Sequence, residues 1–66
     1  MTYSRDNLIC WTHFTDTSSL IEVCDGDVVL WCVGKEEIDA LLNNGCIDDV
    51  NIKATAIDYF LSLEKK

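Results

Sequence analysis

The sequence predicts a small single-domain α+β fold, in which a three-stranded antiparallel meander is followed by two helices packed on one sheet face (βββαα). Three observations lead to this prediction. Two apolar runs flank the turn-forming dipeptide Asp25-Gly26, which indicates a β-hairpin. Another strand-like run precedes them, and apolar residues recur at helical spacing in two later stretches. The chain of 66 residues has room for one domain, residues 1–66.

The first predicted strand is the run LICWTHF at residues 8–14, which is rich in β-branched and aromatic residues. Side chains alternate between the two faces of a strand, so Trp11 shares a face with Ile9 and His13, while Cys10 lies on the other face. The polar residues 15–19 (TDTSS) then predict a hairpin loop. Trp11 is therefore a candidate for the open side of the sheet.

The second hairpin is expected to turn at Asp25-Gly26 in a type I′ geometry, which requires positive φ at both central residues. That turn places Val23 opposite Val28. The face expected to meet the core consists of Ile21, Val23, Val28, Leu30 and Cys32. The opposite face is mixed and holds Trp31, so Trp31 is expected on the open side of the sheet.

Two helices are predicted after the hairpin. Residues 35–43 (KEEIDALLN) place Ile38, Leu41 and Leu42 at helical spacing, and Asn44-Gly45 provides a C-terminal stop. The last helix lies within residues 50–63, where the apolar positions of the inner face are Val50, Ala54, Ile57 and Leu61, widened by Phe60. The alternative is a short strand at residues 50–52 followed by a helix with Thr55 as its N-cap.

The charge of the chain favours some partners and disfavours others. Twelve acidic residues face five basic ones, for a net charge of −7. Nucleic-acid binding depends on Lys and Arg that neutralise phosphates, so we expect no direct contact with nucleic acid, and an anionic membrane is disfavoured in the same way. A basic protein would be attracted, and its approach accelerated. No apolar run approaches the ~20 residues of a membrane helix, and the N-terminus lacks a signal-peptide layout, so we expect a cytoplasmic protein.

Four cysteines and one histidine raise the question of a metal site. Cys10 and His13 have the spacing of a zinc knuckle, but in a strand they point to opposite faces, and four ligands must converge on zinc. Disulfides need an oxidising compartment, so we expect free thiols that pack as small hydrophobes. No nucleophile elbow or phosphate-binding loop is present. We therefore expect no metal, no cofactor, no catalytic residues and no enzymatic activity.

The acidic surface is the feature that most suggests a function. Spaced carboxylates can stand in for phosphates, and an exposed tryptophan is typical of an interface hot spot. The candidate partner-binding residues are Trp31, Trp11, Glu22, Asp25, Asp27, Glu36, Glu37, Asp39, Asp48 and Asp49. The leading hypothesis is a small acidic, non-enzymatic regulator or inhibitor, such as a phage or mobile element encodes, which acts in the host cytoplasm. It would dock on a basic nucleic-acid-handling protein by occlusion or DNA mimicry.

Three other interpretations remain at this stage. The protein could be a homodimer or a structural subunit that associates through its sheet face or an edge strand. It could, with less support, be a small zinc module. The acids could also serve only to keep the protein soluble.

Overall fold

A computed structural model shows the architecture of the protein and describes residues 3–64. A short 3₁₀ turn, Arg5–Asn7, leads into a three-stranded antiparallel sheet of order β1-β2-β3, and two helices follow. The elements are β1 (Leu8–Phe14), β2 (Ser19–Asp25), β3 (Val28–Gly34), α1 (Lys35–Asn43) and α2 (Ile52–Glu64). The predicted βββαα order is confirmed, and the predicted bounds of β1 and α1 agree with those observed.

The pairing of β1 with β2 is regular along its whole length, from Leu8 opposite Asp25 to Phe14 opposite Ser19. The loop between them is closed by the amide of Thr15, which donates to the carbonyl oxygen of Ser18 over 2.8 Å. The amide of Ser18 donates in return to Oγ1 of Thr15 over 3.0 Å. The polar side chains of the predicted loop thus supply the hydrogen bonds of the turn.

The turn between β2 and β3 differs from the prediction. Its central residues are Gly26 and Asp27, because Asp25 already pairs with Val28. Gly26 has φ +64°, and no other residue type in the described chain has positive φ. A type II′ turn needs positive φ only at its first central position, which suits glycine, so the predicted type I′ turn is wrong.

A β-bulge in β3 changes the predicted faces. Cys24 pairs with Val29 but Val23 pairs with Trp31, so Leu30 is an extra residue in β3. Compared with the predicted pairing, the different turn by itself moves each partner on β3 by two residues, and an even shift leaves every side chain on its predicted face. The bulge shifts it by one more, which exchanges the two faces of β3 beyond Leu30.

The predicted core face is therefore correct on β2 and wrong on β3. Ile21 and Val23 are fully buried, as expected. On β3, however, Val33 and the half-buried Trp31 face the core, while Cys32 is exposed. Val28 is also exposed, at 59 % of its surface. Leu30 is half-buried at the bulge.

Helix α1 ends in a glycine motif. The amide of Cys46 donates to the carbonyl of Leu41 over 2.9 Å, and the amide of Gly45 donates to that of Leu42 over 3.2 Å. Gly45 has φ +75°. These are the two hydrogen bonds of a Schellman motif, with glycine in the left-handed position. The predicted stop at Asn44-Gly45 is confirmed.

Helix α2 begins at Ile52, two residues after the earliest predicted start, and residues 50–52 form no strand. Thr55 lies inside the first turn, where its hydroxyl donates to the carbonyl of Asn51 over 2.8 Å, so it is not the N-cap. The predicted inner face is correct at Phe60, which is buried with Ala56, and wrong at Val50 and Ala54. Val50 and Ala54 are exposed, and Ile57 and Leu61 are half-buried.

Aromatic contacts set the rotation of α2. The ring of Phe60 packs on that of Tyr3, with centroids 5.7 Å apart, and the ring of Tyr59 packs on that of Trp31 at 5.8 Å. These large side chains bury more area than Ala54 or Leu61 can offer, so they determine which side of the helix faces the sheet.

The core lies between the sheet and the two helices. Helix α1 packs on β2 and β3, and α2 packs on β1 and β2, so both cover the same sheet face. The buried cluster consists of Leu8, Cys10, Ile21, Val23, Val33, Ile38, Leu41, Ile47, Ala56 and Phe60. Within residues 3–64, no helix has the length and apolar character that crossing a membrane requires.

Candidate functional site: the open face of the sheet

The sheet face opposite the helices is the candidate site, and we call it the open face. The strand registers place its side chains in three rows across β1, β2 and β3. The rows are Ile9–Cys24–Val29, Trp11–Glu22–Cys32 and His13–Leu20–Gly34. Because both helices pack on the other face, neither helix covers these rows, although the small Cys24 side chain is buried.

Large apolar side chains are exposed on the open face. Trp11 is 57 % exposed, Val29 50 % and Ile9 48 %. Single exposed apolar residues are ordinary, but three in two adjacent rows of one sheet face form a patch of the kind that marks interaction sites. The site therefore offers an apolar contact surface centred on an indole ring.

One carboxylate lies in the middle of this patch. Glu22 is half-buried and stands directly between Trp11 and Cys32 in the central row. Within residues 3–64, no lysine or arginine belongs to a strand, although His13 of β1 lies on the open face two residues from Trp11. A cation from a partner could therefore pair with Glu22 and lie against the face of the Trp11 ring, where the quadrupole attracts positive charge.

Trp31, the other predicted anchor, is not available as one. It lies on the helix side of the sheet, half-buried, with its ring against that of Tyr59. The expectation that it occupies the open side is wrong, because the bulge at Leu30 turns it inward. Of the two tryptophans, Trp11 is the one whose side chain is exposed on the open face.

The predicted acidic residues are exposed but lie in separate places. Asp25 ends β2 and Asp27 lies in the β2–β3 turn, at one end of the sheet. Glu36 and Glu37 belong to the first turn of α1, which begins where β3 ends, at the opposite end. Asp39 lies further along the same helix. Carboxylates thus lie near both ends of the sheet, with Glu22 on the open face between them.

Asp48 and Asp49 lie in the connector between the helices, where Asp48 has a structural task. Its Oδ1 accepts a hydrogen bond from the amide of Val50 over 2.9 Å, and its own amide donates to Oγ1 of Thr55 over 3.0 Å. Both aspartates line an open depression of ≈ 410 Å³ with Leu42, Gly45 and Ile47. This depression does not adjoin the open face, since it lies on the helix side of the molecule.

All four thiols are unpaired in the structure. Cys10 and Cys32 lie on the two outer strands and on opposite faces, so a bridge between them is excluded. Burial raises the pKa of the Cys10 thiol, an effect that the nearby Lys53 ammonium opposes. Burial also raises the pKa of the Cys24 thiol, and the neighbouring Glu22 carboxylate adds to this.

No three His, Cys, Asp or Glu side chains in residues 3–64 converge as metal ligands.

Two residues of the open face were not among the predicted site residues. Ile9 and Val29 lie on the same face as Trp11 and are as exposed as a docking surface requires. The alternation of side chains in the sequence already places both on the mixed face of the sheet, so the signal was present.

Comparisons with known proteins give no further guide. No protein-family model, curated protein or solved structure matches the chain. The function is therefore inferred from the geometry and charge of the molecule itself.

Proposed function

We propose that the protein is a small acidic, non-enzymatic regulator that docks on a basic nucleic-acid-handling protein and blocks it by occlusion or by mimicry of nucleic acid. It acts in the cytoplasm, where unpaired thiols stay reduced. The observation that supports this most is the exposed Trp11 beside Glu22 on an uncovered sheet face.

Trp11 supplies the contact energy in this proposal. A tryptophan that becomes fully desolvated at the centre of an interface commonly contributes 2 kcal/mol or more, on the order of a thirtyfold change in affinity. Ile9 and Val29 extend the apolar contact on either side, and Glu22 receives a cation within it.

The surrounding carboxylates supply attraction at a distance. The net charge of −7 produces a field that accelerates the approach of a basic partner and repels acidic ones. The acids of the turn and of α1 lie near the two ends of the sheet, so a positively charged surface that covers the open face meets negative charge on both sides.

Self-association through the open face is the second candidate, and the exposed apolar side chains favour it. The charge opposes it, since two copies at −7 each would repel. Static light scattering over a concentration series decides between the two: a constant monomer mass supports docking on another protein, whereas a concentration-dependent dimer supports self-association.

The proposal is tested by comparative capture from a nuclease-treated lysate of the encoding organism. Wild-type protein, Trp11→Ala and a Glu36→Lys/Glu37→Lys/Asp39→Lys variant serve as baits, with Val28→Ala as the matched control. Val28 is as exposed as Trp11 but lies on the other side of the sheet at the far edge. Folding of each bait is confirmed by circular dichroism.

The expected result is a basic nucleic-acid-binding protein that wild-type and Val28→Ala baits retain. Trp11→Ala should retain it about tenfold less well or worse, and the lysine variant should release it at lower salt. DNA or RNA should compete with the purified pair. If Trp11→Ala and the lysine variant capture the same proteins in the same amounts as wild type, the proposal is wrong.

A further inference from the structure

We propose that the partner contributes an extended, basic segment that pairs with the outer edge of β1 as a fourth strand, and this inference rests on the function proposed above. Strand addition of this kind takes its affinity from main-chain hydrogen bonds and its specificity from alternate side chains. Three features of β1 support it: a free edge, an unprotected sequence, and acids at both ends.

The outer edge of β1 is free. In the order β1-β2-β3, β1 has a neighbour on one side only. Alternate residues of an edge strand direct their N–H and C=O groups away from the neighbour. Within residues 3–64, the one hydrogen bond that joins β1 to a segment other than β2 is that of the Leu8 amide, which donates to the carbonyl of Arg5. Donors and acceptors therefore remain available at the outward-facing positions of residues 9–14.

The sequence of β1 carries none of the devices that protect an edge. Natural edge strands are blunted by charged side chains, proline or a bulge. β1 (LICWTHF) contains no lysine, arginine, acid or proline, and its register with β2 is uninterrupted. The opposite edge, β3, is interrupted by the bulge at Leu30. The molecule thus has one edge suited to pairing and one that is not.

The charges at the ends and centre of β1 favour a basic occupant. Asp6 precedes the strand and Asp16 follows it, and both are exposed. Arg5 is paired with Asp58, and Lys53 lies near Cys10, on the helix side of the sheet. A fourth strand extends the central row to partner–Trp11–Glu22, so a Lys or Arg at that position lies over the indole ring and towards the carboxylate. Basic residues at the centre and the two ends of the segment would therefore meet favourable charge.

A second copy of the chain fits this edge poorly. Antiparallel pairing of two β1 strands about Trp11 would bring the turn that holds Asp6 in each copy towards the loop that holds Asp16 in the other, since the two residues lie equally far from Trp11 in the sequence. Like charges brought close together in this way repel, and each copy carries a net charge of −7. The edge therefore favours a basic segment from a different protein.

The test uses two synthetic peptides of the same length as β1, capped at both ends, in which lysine and valine alternate. The second peptide is N-methylated at every residue, so it keeps the charge and side chains but cannot pair as a strand. Each is titrated into isotope-labelled full-length protein, and amide chemical shifts and hydrogen exchange are followed. Trp11→Lys, with Val28→Lys as its matched control, is titrated in parallel.

The unmethylated peptide should shift the amides of residues 8–14 and slow exchange of the outward-facing ones, and the methylated peptide should bind about tenfold more weakly or worse. Trp11→Lys should weaken binding, and Val28→Lys should not.

Equal binding of both peptides, shifts confined to α1, or no effect on β1 would overturn strand pairing. Protection of β1 that grows with protein concentration alone would overturn it in favour of a second copy. None of these outcomes decides the proposed function, which depends on Trp11-dependent capture.

Discussion

Trp11 and Trp31 show how one residue type takes opposite roles in one small sheet. Both flank β2 in strands of equal length, and both sequences around them are apolar. Trp11 follows the regular alternation of β1 and remains exposed, whereas Trp31 comes after an extra residue and packs on Tyr59. The availability of a tryptophan for binding is thus decided by backbone register rather than by its local sequence.

The thiols give a prediction at the same scale. Cys10 and Cys24 are buried and have raised pKa values, so the folded protein holds their protons to higher pH than the unfolded chain, whose thiols ionise near 9.0. The stabilisation this provides is fully present below pH 9.0 and is lost as the pH rises through the folded-state pKa. The urea concentration at the midpoint of unfolding should therefore fall as the pH is raised above 9.0.

A pair of double variants provides the control. Cys10→Ala/Cys24→Ala should have a flatter dependence of stability on alkaline pH, although its absolute stability is lower because of the cavities left behind. Cys32→Ala/Cys46→Ala, at the two exposed thiols, should follow the wild-type curve. Identical slopes for both variants would show that the buried thiols are not the titrating groups.

Gly34 and Gly45, at the two ends of α1, allow a matched test of how backbone conformation stabilises the end of a helix. Gly45 has φ +75°, which an L-residue adopts only with strain, whereas Gly34 has φ −95°. Neither position would bring an added Cβ within 4 Å of other atoms, so backbone conformation is the only difference that matters. Gly45→Ala should cost roughly 1–2 kcal/mol of stability.

Gly34→Ala should be neutral or slightly stabilising, since it reduces the freedom of the unfolded chain without strain. Chemical denaturation of the two variants beside wild type measures the difference. Equal destabilisation by both would mean that the left-handed C-terminal position of α1 is not what holds the end of the helix.

The elements themselves were largely predictable, because local signals bracket them. Gly34 and Asn44-Gly45 enclose α1, and polar residues with hydrogen-bonding side chains enclose β1, so the bounds of both agree with the prediction. The rotation of α2 was not predictable in this way. It depends on where Phe60 and Tyr59 find aromatic partners across the core, and those partners are distant in sequence.

The candidate site was predicted in part for the same reason. Trp11 and Glu22 lie on strands with regular pairing, so alternation places them together. Trp31 was misplaced because a bulge has no strong sequence signal: both Leu30 and Trp31 are apolar, and both end up half-buried against the core. The arrangement of the acids depends on how the helices lie on the sheet, which no local pattern specifies.

At the scale of the whole molecule, unbalanced charge is the dominant electrostatic feature. The described residues contain one ion pair, between Nε of Arg5 and Oδ1 of Asp58 at 2.8 Å, and it lies on the surface, where such pairs contribute little. The longest dimension of the described molecule is 35 Å. At about 0.01 M salt the screening length is ~30 Å, so nearly all carboxylates repel one another, whereas at ~0.15 M it is about 8 Å.

The free energy of unfolding should therefore rise as salt is added over this range. Urea denaturation at the two ionic strengths measures it, and a Glu36→Gln/Glu37→Gln/Asp39→Asn variant, which carries three fewer charges, should show a smaller increase. A wild-type stability that falls with added salt would mean that attractive pairs outweigh the repulsion.

The single extra residue at Leu30 also has a consequence for how this chain could change over time. If β3 paired regularly with β2 at unchanged length, Leu30 would lie opposite Val23, so Trp31 would turn outward and Cys32 inward while the Gly26 turn and β2 stayed intact. A lineage with that pairing would present two indole rings on one surface instead of one. Substitutions that remove the bulge, with no residue inserted or deleted, would therefore be a route to a different partner.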